Sequence, residues 1–311
     1  MTNPRDGSKL RNVVSLKENI RAWMTRAKRV VTFDRRPMAM SGIRLCLIAP
    51  VLALAGLSSA CGSKVVIATW TCSQSSDSGR AGSTSSEAGD FEFPWSTGFE
   101  DGFCGYQVGG GFCFRTGISS YQIVTSPVHT GKYAAAFSVT ADPAQRDNQV
   151  RCVRQGTLPV QAYYGAWYFV PTLATNNNAV WNLFHFAGGT GPGDTLHGIW
   201  DVSLINTPTG DLRLVVYQFR MAGAAGRTPD LSGETTIPIG TWFHIVIFLK
   251  RAADATGEVQ VYLNNASILH LTGVVTDDSQ WGQWYVGNLA ENLTPPDSTV
   301  YVDDVTISGA L

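Results

Sequence analysis

From residue 93 onward, apolar and polar side chains alternate in short runs separated by turn-forming clusters. In Trp242–Lys250, Phe243, Ile245, Ile247 and Leu249 fall on one face, and Trp242, His244, Val246, Phe248 and Lys250 on the other. That is the period of two a β-strand imposes. Similar β-rich runs span Ala134–Thr140, Ala162–Pro171, Val180–Phe186, Ile199–Ile205, Leu212–Phe219, Glu258–Leu263, Trp284–Val286 and Val300–Ser308. Turn clusters such as Thr207–Asp211 and Ala253–Gly257 lie between them, and no sustained helical period occurs past residue 93. The pattern predicts an all-β domain over residues 93–311, a two-sheet antiparallel β-sandwich of jelly-roll type. The 32 Gly, nine Trp, ten Tyr and 14 Phe fit a turn-rich, aromatic-rich β protein.

Upstream the pattern changes three times. Residues 38–61 contain Arg44, the uncharged apolar run Leu45–Leu57, then Ser58, Ser59, Ala60 and Cys61. About 13 apolar residues are too few to span a bilayer comfortably, and the charged–apolar–small order is that of a secretory signal. Cys61 after small residues resembles the lipobox of bacterial lipoproteins, although Leu57 lies four residues before it rather than that family's three. The resemblance implies cleavage before Cys61, lipid on its sulfur, and a membrane anchor. It implies an exported protein of the outer membrane or cell surface, otherwise a periplasmic one. Residues 1–37 carry apolar positions at helical spacing among basic ones. They read either as a basic amphipathic helix at a membrane surface or as untranslated, with the true start at Met38 or Met40. Residues 62–92, Ser/Gly-rich from 73, read as a flexible linker.

Charge sharpens this division. The formal net charge is −1, yet residues 1–37 hold ten basic and three acidic residues, whereas from Cys61 onward there are 12 basic and 21 acidic. An acidic body excludes nucleic acid as a partner, which needs a basic footprint. Four cysteines after the signal, Cys72, Cys104, Cys113 and Cys152, suit an oxidising compartment and allow three pairings. The Gly-rich turn Gly109–Gly111 between Cys104 and Cys113 favours that pair. Without a Cys-x-x-Cys or a nearby His cluster, zinc is not indicated.

Gly240-Thr-Trp-Phe-His244, the Gly257 turn and Val259-Gln-Val-Tyr-Leu-Asn264 resemble a stretch of concanavalin A-like domains. That superfamily includes laminin G-like modules, lectins, glucanases and polysaccharide lyases. Gly98–Gly102, Val128–Tyr133 and Tyr301–Ile307 resemble the first and last strands of carbohydrate-binding jelly rolls. Both resemblances imply a polysaccharide or oligosaccharide partner. Aromatic rings stack on sugar faces while amides and Arg bind hydroxyls, which nominates Trp181, Trp200, Tyr217, Trp281, Trp284, Arg154 and Asn182. In the second resemblance Glu100, Asp101, Asp303 and Asp304 are candidates for a structural calcium. No other cofactor is required.

The Glu-x-Asp-x-x-Glu strand of the superfamily's glucanases is missing, and Asp201 is the only acid on the predicted strands from Ala134 to Lys250. Paired-carboxylate glycoside hydrolysis is therefore not indicated. Lyases of this superfamily use Arg with Gln or Asn to neutralise a uronate carboxylate, His as base and Tyr as acid. The resemblance maps these roles onto Arg151, His185 and Tyr285. The lyases carry Gln two residues before the His, where this chain has Leu183. Simple alternation puts His185 with Trp181 and Leu183, and Asn182 on the opposite face.

The leading reading is an exported, lipid-anchored protein that binds polysaccharide at the cell envelope without cleaving it. The alternative is a polysaccharide lyase acting on uronate glycans. A second alternative is a non-catalytic adhesion or interaction protein. The acidic body favours neutral glycans unless Arg151 and Arg154 line the groove.

Overall fold

The computed structural model describes Cys72 and residues 93–311, apart from 108–109, 145–147, 192–195, 220–232, 234 and 278. The 1–37 extension, the 38–61 signal with Cys61, and the 62–92 linker other than Cys72 lie outside the described residues.

Among the described residues fourteen strands and one helical turn follow in order: β1 (Trp95–Thr97), α1 (Cys104–Gln107), β2 (Gly111–Thr116), β3 (Ser119–Val124), β4 (Ala134–Thr140), β5 (Gln149–Gly156) and β6 (Gln161–Phe169). Then come β7 (Trp181–Gly189), β8 (His197–Asn206), β9 (Leu212–Gln218), β10 (Trp242–Lys250), β11 (Gly257–Leu263), β12 (Ala266–Val274), β13 (Trp281–Ala290) and β14 (Asp297–Ser308). All pairings are antiparallel. One sheet runs β12-β11-β10-β6-β14-β4-β3, with β1 also on β14; the other runs β2-β5-β13-β7-β8-β9. This is the expected all-β sandwich. Among the described residues no helix is long and apolar enough to cross a membrane.

Alternation explains how the two sheets meet. Tyr164, Ala166 and Tyr168 of β6 face inward, as do Phe184 and Phe186 of β7 and Trp284 and Val286 of β13. Tyr164 meets Phe186 and Trp284 edge-on at centroid distances of 4.9 and 5.2 Å, and Phe184 meets Trp284 at 5.2 Å. Burying rings of this size stabilises by roughly 2–3 kcal/mol each. The inner faces are thereby committed to packing, which leaves the outward faces of the sheets for chemistry.

The disulfides differ from the expected Cys104–Cys113 pair. Cys113 bonds Cys152, and Cys104 bonds Cys72. Strand register decides the first: Cys113 on β2 stands directly opposite Cys152 on β5, with Cα atoms 4.0 Å apart. Cys104, on α1, is left to pin the chain segment at Cys72. The Cys113–Cys152 bond closes a span of 39 residues. Replacing both cysteines with Ser should lower unfolding free energy by about 2–4 kcal/mol, read as a reduced denaturation midpoint against wild type.

Candidate active site

Register assembles one row of outward side chains. Val153 of β5 lies opposite Tyr285 of β13, Tyr285 opposite His185 of β7, His185 opposite Asp201 of β8, and Asp201 opposite Tyr217 of β9. Adjacent strands are about 4.8 Å apart, so these side chains are immediate neighbours.

His185 reaches the row through a bulge. Asn182 pairs with Ser203 and Phe184 with Val202, leaving Leu183 as the extra residue. Leu183 and Phe184 both turn into the core, and Asn182 joins His185 on the outer side. This corrects the alternation read from sequence, which grouped His185 with Trp181 and Leu183. It also places Asn182, not Leu183, where an amide can serve the histidine.

His185 Nδ1 lies 2.6 Å from Asp201 Oδ1, with 18% of the imidazole side chain exposed and 3% of the aspartate. An ionised carboxylate can only accept, so Nδ1 donates, and in the neutral imidazole Nε2 then carries the lone pair. The same Oδ1 accepts from Asn182 Nδ2 at 2.8 Å, and Asn182 Oδ1 accepts from Arg151 Nη2 at 2.7 Å. A buried anion and a buried cation are thus joined through one amide, as burial of charge demands. Asn182 also donates to the carbonyls of Phe184 and Val202. Its amide is thereby engaged by protein, so it positions its neighbours and does not reach a sugar as expected.

Tyr285 closes the row. Its ring meets His185 edge-on at 5.1 Å, and the Arg151 guanidinium carbon sits 5.4 Å from its centroid. Burial pushes its phenol up to about 12, with Arg151 pulling the other way. It therefore holds its proton at neutral pH. The hydroxyl donates to Gln283 Oε1, and Gln283 Nε2 donates to Gln155 Oε1 at 2.8 Å. Arg151, His185 and Tyr285, the residues onto which the lyase resemblance maps its roles, stand together on neighbouring strands. Asp201, Gln155 and Gln283 were not nominated. For the two glutamines the signal was parity: Gln283 lies two residues from Tyr285, and Gln155 four from Arg151.

Several other nominated residues lie elsewhere. Trp181, Trp200 and Trp284 are 1% exposed and Trp281 is 7%. Their faces are buried and offer no sugar platform. Trp181 Nε1 donates to Asn288 and Trp200 Nε1 to the Thr276 carbonyl. Arg154, three residues from Arg151, has the opposite parity: it is fully buried, stacked 4.6 Å from the Trp95 ring and donating to the Gly105 carbonyl. Tyr217 stays on the row.

Three of the four calcium candidates clasp the loop 128–133. Asp303 accepts from the amides of His129 and Thr130, Asp304 takes His129 Nδ1 at 2.6 Å and the Thr130 hydroxyl, and Glu100 accepts the Lys132 and Tyr133 amides. Burial, then Asp304, pushes Asp303 up to about 6. Asp101 is exposed. Among the described residues no group of three or more His, Cys, Asp or Glu is placed to hold a metal ion.

Residues 87–306 match the family described as polysaccharide lyase. No curated protein sequence matches the chain. Among solved structures, an endo-β-1,4-glucuronan lyase from the fungus Trichoderma reesei superposes with a TM-score of 0.51 at 18% identity, covering 64% of this chain and 90% of that one. The cellulose induced protein Cip1 gives 0.48 at 15%, covering 69% and 97%. A marine PL-14 alginate lyase from Aplysia kurodai gives 0.48 at 10%, covering 68% and 97%. At such identities the likeness is one of fold.

Proposed function

The chain belongs to the polysaccharide lyase family, and we propose that it cleaves a uronate-containing glycan by β-elimination on the outer face of its six-stranded sheet. His185 Nε2 takes the C5 proton, the electron pair forms the C4=C5 double bond, and the C4–O bond breaks. Tyr285 gives its phenolic proton to the departing oxygen. Solvent exchange then returns a proton to Tyr285 and removes one from His185. The positive charge of Arg151, whose guanidinium carbon sits 5.4 Å from the Tyr285 ring, offsets the uronate carboxylate.

The observation that carries this reading is the in-register row Tyr285–His185–Asp201, flanked by Arg151. It supplies base, acid and counter-charge within neighbouring strands. The reading of sugar binding without cleavage leaned on tryptophans that are buried, and loses its platform. In the same proposal the protein is exported and carries a lipid on Cys61; its two disulfides support export alone, since such bonds persist in oxidising compartments.

Incubation with uronate glycans, followed by the ultraviolet absorbance of the unsaturated product, tests the proposal. Tyr285→Phe should lower kcat by about 10²-fold or more with little change in KM. Because burial pushes the phenol up to about 12, wild-type activity should show no alkaline loss from this group at pH 8–10. Wild-type turnover in Tyr285→Phe would remove Tyr285 from the acid role.

A further inference from the structure

The row of outward side chains ends at Tyr217, and a cavity of about 640 Å³ begins there. Its size lies within the range of sites that take small-molecule ligands. Tyr217 and Ser203 belong to both regions: Tyr217 stands opposite Asp201, and the Ser203 hydroxyl accepts from Asn182. The cavity is therefore continuous with the reacting centre along β8 and β9.

Its far wall is the loop from Thr175 to Val180, which the sequence builds to be rigid. Asn177 and Asn178 adopt φ of 46° and 57°, the left-handed region that Asn tolerates better than most residues. Asn176 is buried and ties the loop down: its amide N–H donates to Asn206 Oδ1 at 2.8 Å, and its side chain donates to the carbonyls of Leu204 and Ala179. Asn177 donates to Thr294 Oγ1 at 2.9 Å. A wall fixed before the ligand arrives lowers the entropic cost of binding.

The chemistry of the lining is selective. Asn177, Asn178, Thr207 and Tyr217 offer amides and hydroxyls, Glu291 adds an acid, and no Lys or Arg is among the described lining residues. A uronate carboxylate seated here would lose water without gaining a cationic partner, which is costly. A neutral pyranose would exchange hydroxyl–water for hydroxyl–amide hydrogen bonds and lay an apolar face near Tyr217.

We infer that this cavity is a subsite for a neutral sugar adjoining the cleaved uronate, so that the substrate is a mixed uronate–neutral glycan and not a homopolyuronate. The inference rests on the lyase reading for the bond cleaved, but sugar occupancy can be measured without cleavage.

The test uses the His185→Ala protein and calorimetric titration with xylotetraose, cellotetraose, mannotetraose and trigalacturonate. At least one neutral tetraose should bind, and both Tyr217→Ala and Asn178→Gly should weaken it by about tenfold. Asn178→Gly keeps the left-handed backbone without strain, so it reports on the side chain even if Tyr217→Ala destabilises the fold. Trigalacturonate affinity should be unchanged by either variant. In the active protein, Asn178→Gly should raise KM on a mixed glycan and leave kcat in place. Failure of all three neutral probes to bind, or trigalacturonate losing affinity alongside them, would overturn the subsite. Neutral binding without unsaturated product from any glycan would leave the subsite standing and overturn the lyase reading alone.

Discussion

His185→Ala should reduce release of unsaturated product by at least about 10³-fold while the protein stays folded. A positioned general base contributes about 10²–10⁴-fold, and a loss of 10³ corresponds to about 4 kcal/mol of transition-state stabilisation. The large value is expected because among the described residues no second imidazole stands on this row. The fold should tolerate the change. The imidazole is partly exposed, and the Asp201 carboxylate it leaves still accepts from Asn182 at 2.8 Å. The rings of Tyr285 and Phe219 flank the vacated space at 5.1 and 5.8 Å, and no backbone pairing involves the lost atoms. Substrate affinity should change little, since base and substrate meet only at the transferred proton. An unaltered rate would remove His185 from the chemistry and return weight to sugar binding without cleavage. A collapse of the thermal midpoint would instead assign the residue to packing.

The sandwich was legible because its inner strands each bury one face. β4 and β10 fall on the boundaries read from alternation, with Phe243, Ile245, Ile247 and Leu249 all inward. β13 was read at only three residues because Gly282, Gln283, Gly287 and Asn288 interrupt its apolar pattern, yet it spans ten. The edge strands β2 and β12 are half-exposed on both faces, so no alternation marks them. Within the site, parity alone separated some candidates. Trp284 beside Tyr285, and Arg154 three residues from Arg151, could not share their neighbours' face. The bulge at Leu183 was not legible, since nothing in Trp-Asn-Leu-Phe-His declares an extra residue. That bulge brings Asn182 and His185 together and gives Asp201 its place, which is why Asp201 was noted as the lone strand acid and assigned no role.

Asp201→Asn should cost about 10²–10⁴-fold in kcat with KM nearly unchanged. In the present arrangement one oxygen, Oδ1, accepts from both His185 Nδ1 and Asn182 Nδ2. An asparagine of the same shape can offer its carbonyl oxygen to both donors, so the geometry survives. What disappears is the negative charge that stabilises the imidazolium formed on proton abstraction, and the certainty that Nδ1 carries the hydrogen. With an amide NH₂ also available, the other tautomer becomes accessible and Nε2 no longer presents its lone pair. Elsewhere, an Asn in place of an Asp that orients a catalytic His lowers kcat by about 10⁴ through this tautomer error. Asp201 is thus a positioning residue, and the pH profile distinguishes this role from packing. Losing a negative charge beside a base weakens the base, so the acid limb of kcat/KM should move to lower pH. Arg151 feels the change too, because its guanidinium faces that charge through Asn182 at 2.7 Å. An uncompensated buried cation should lower stability by about 1–3 kcal/mol. A drop in stability with no displacement of the acid limb would make Asp201 a structural counter-ion to Arg151; a displaced limb with a modest stability loss would tie it to the base.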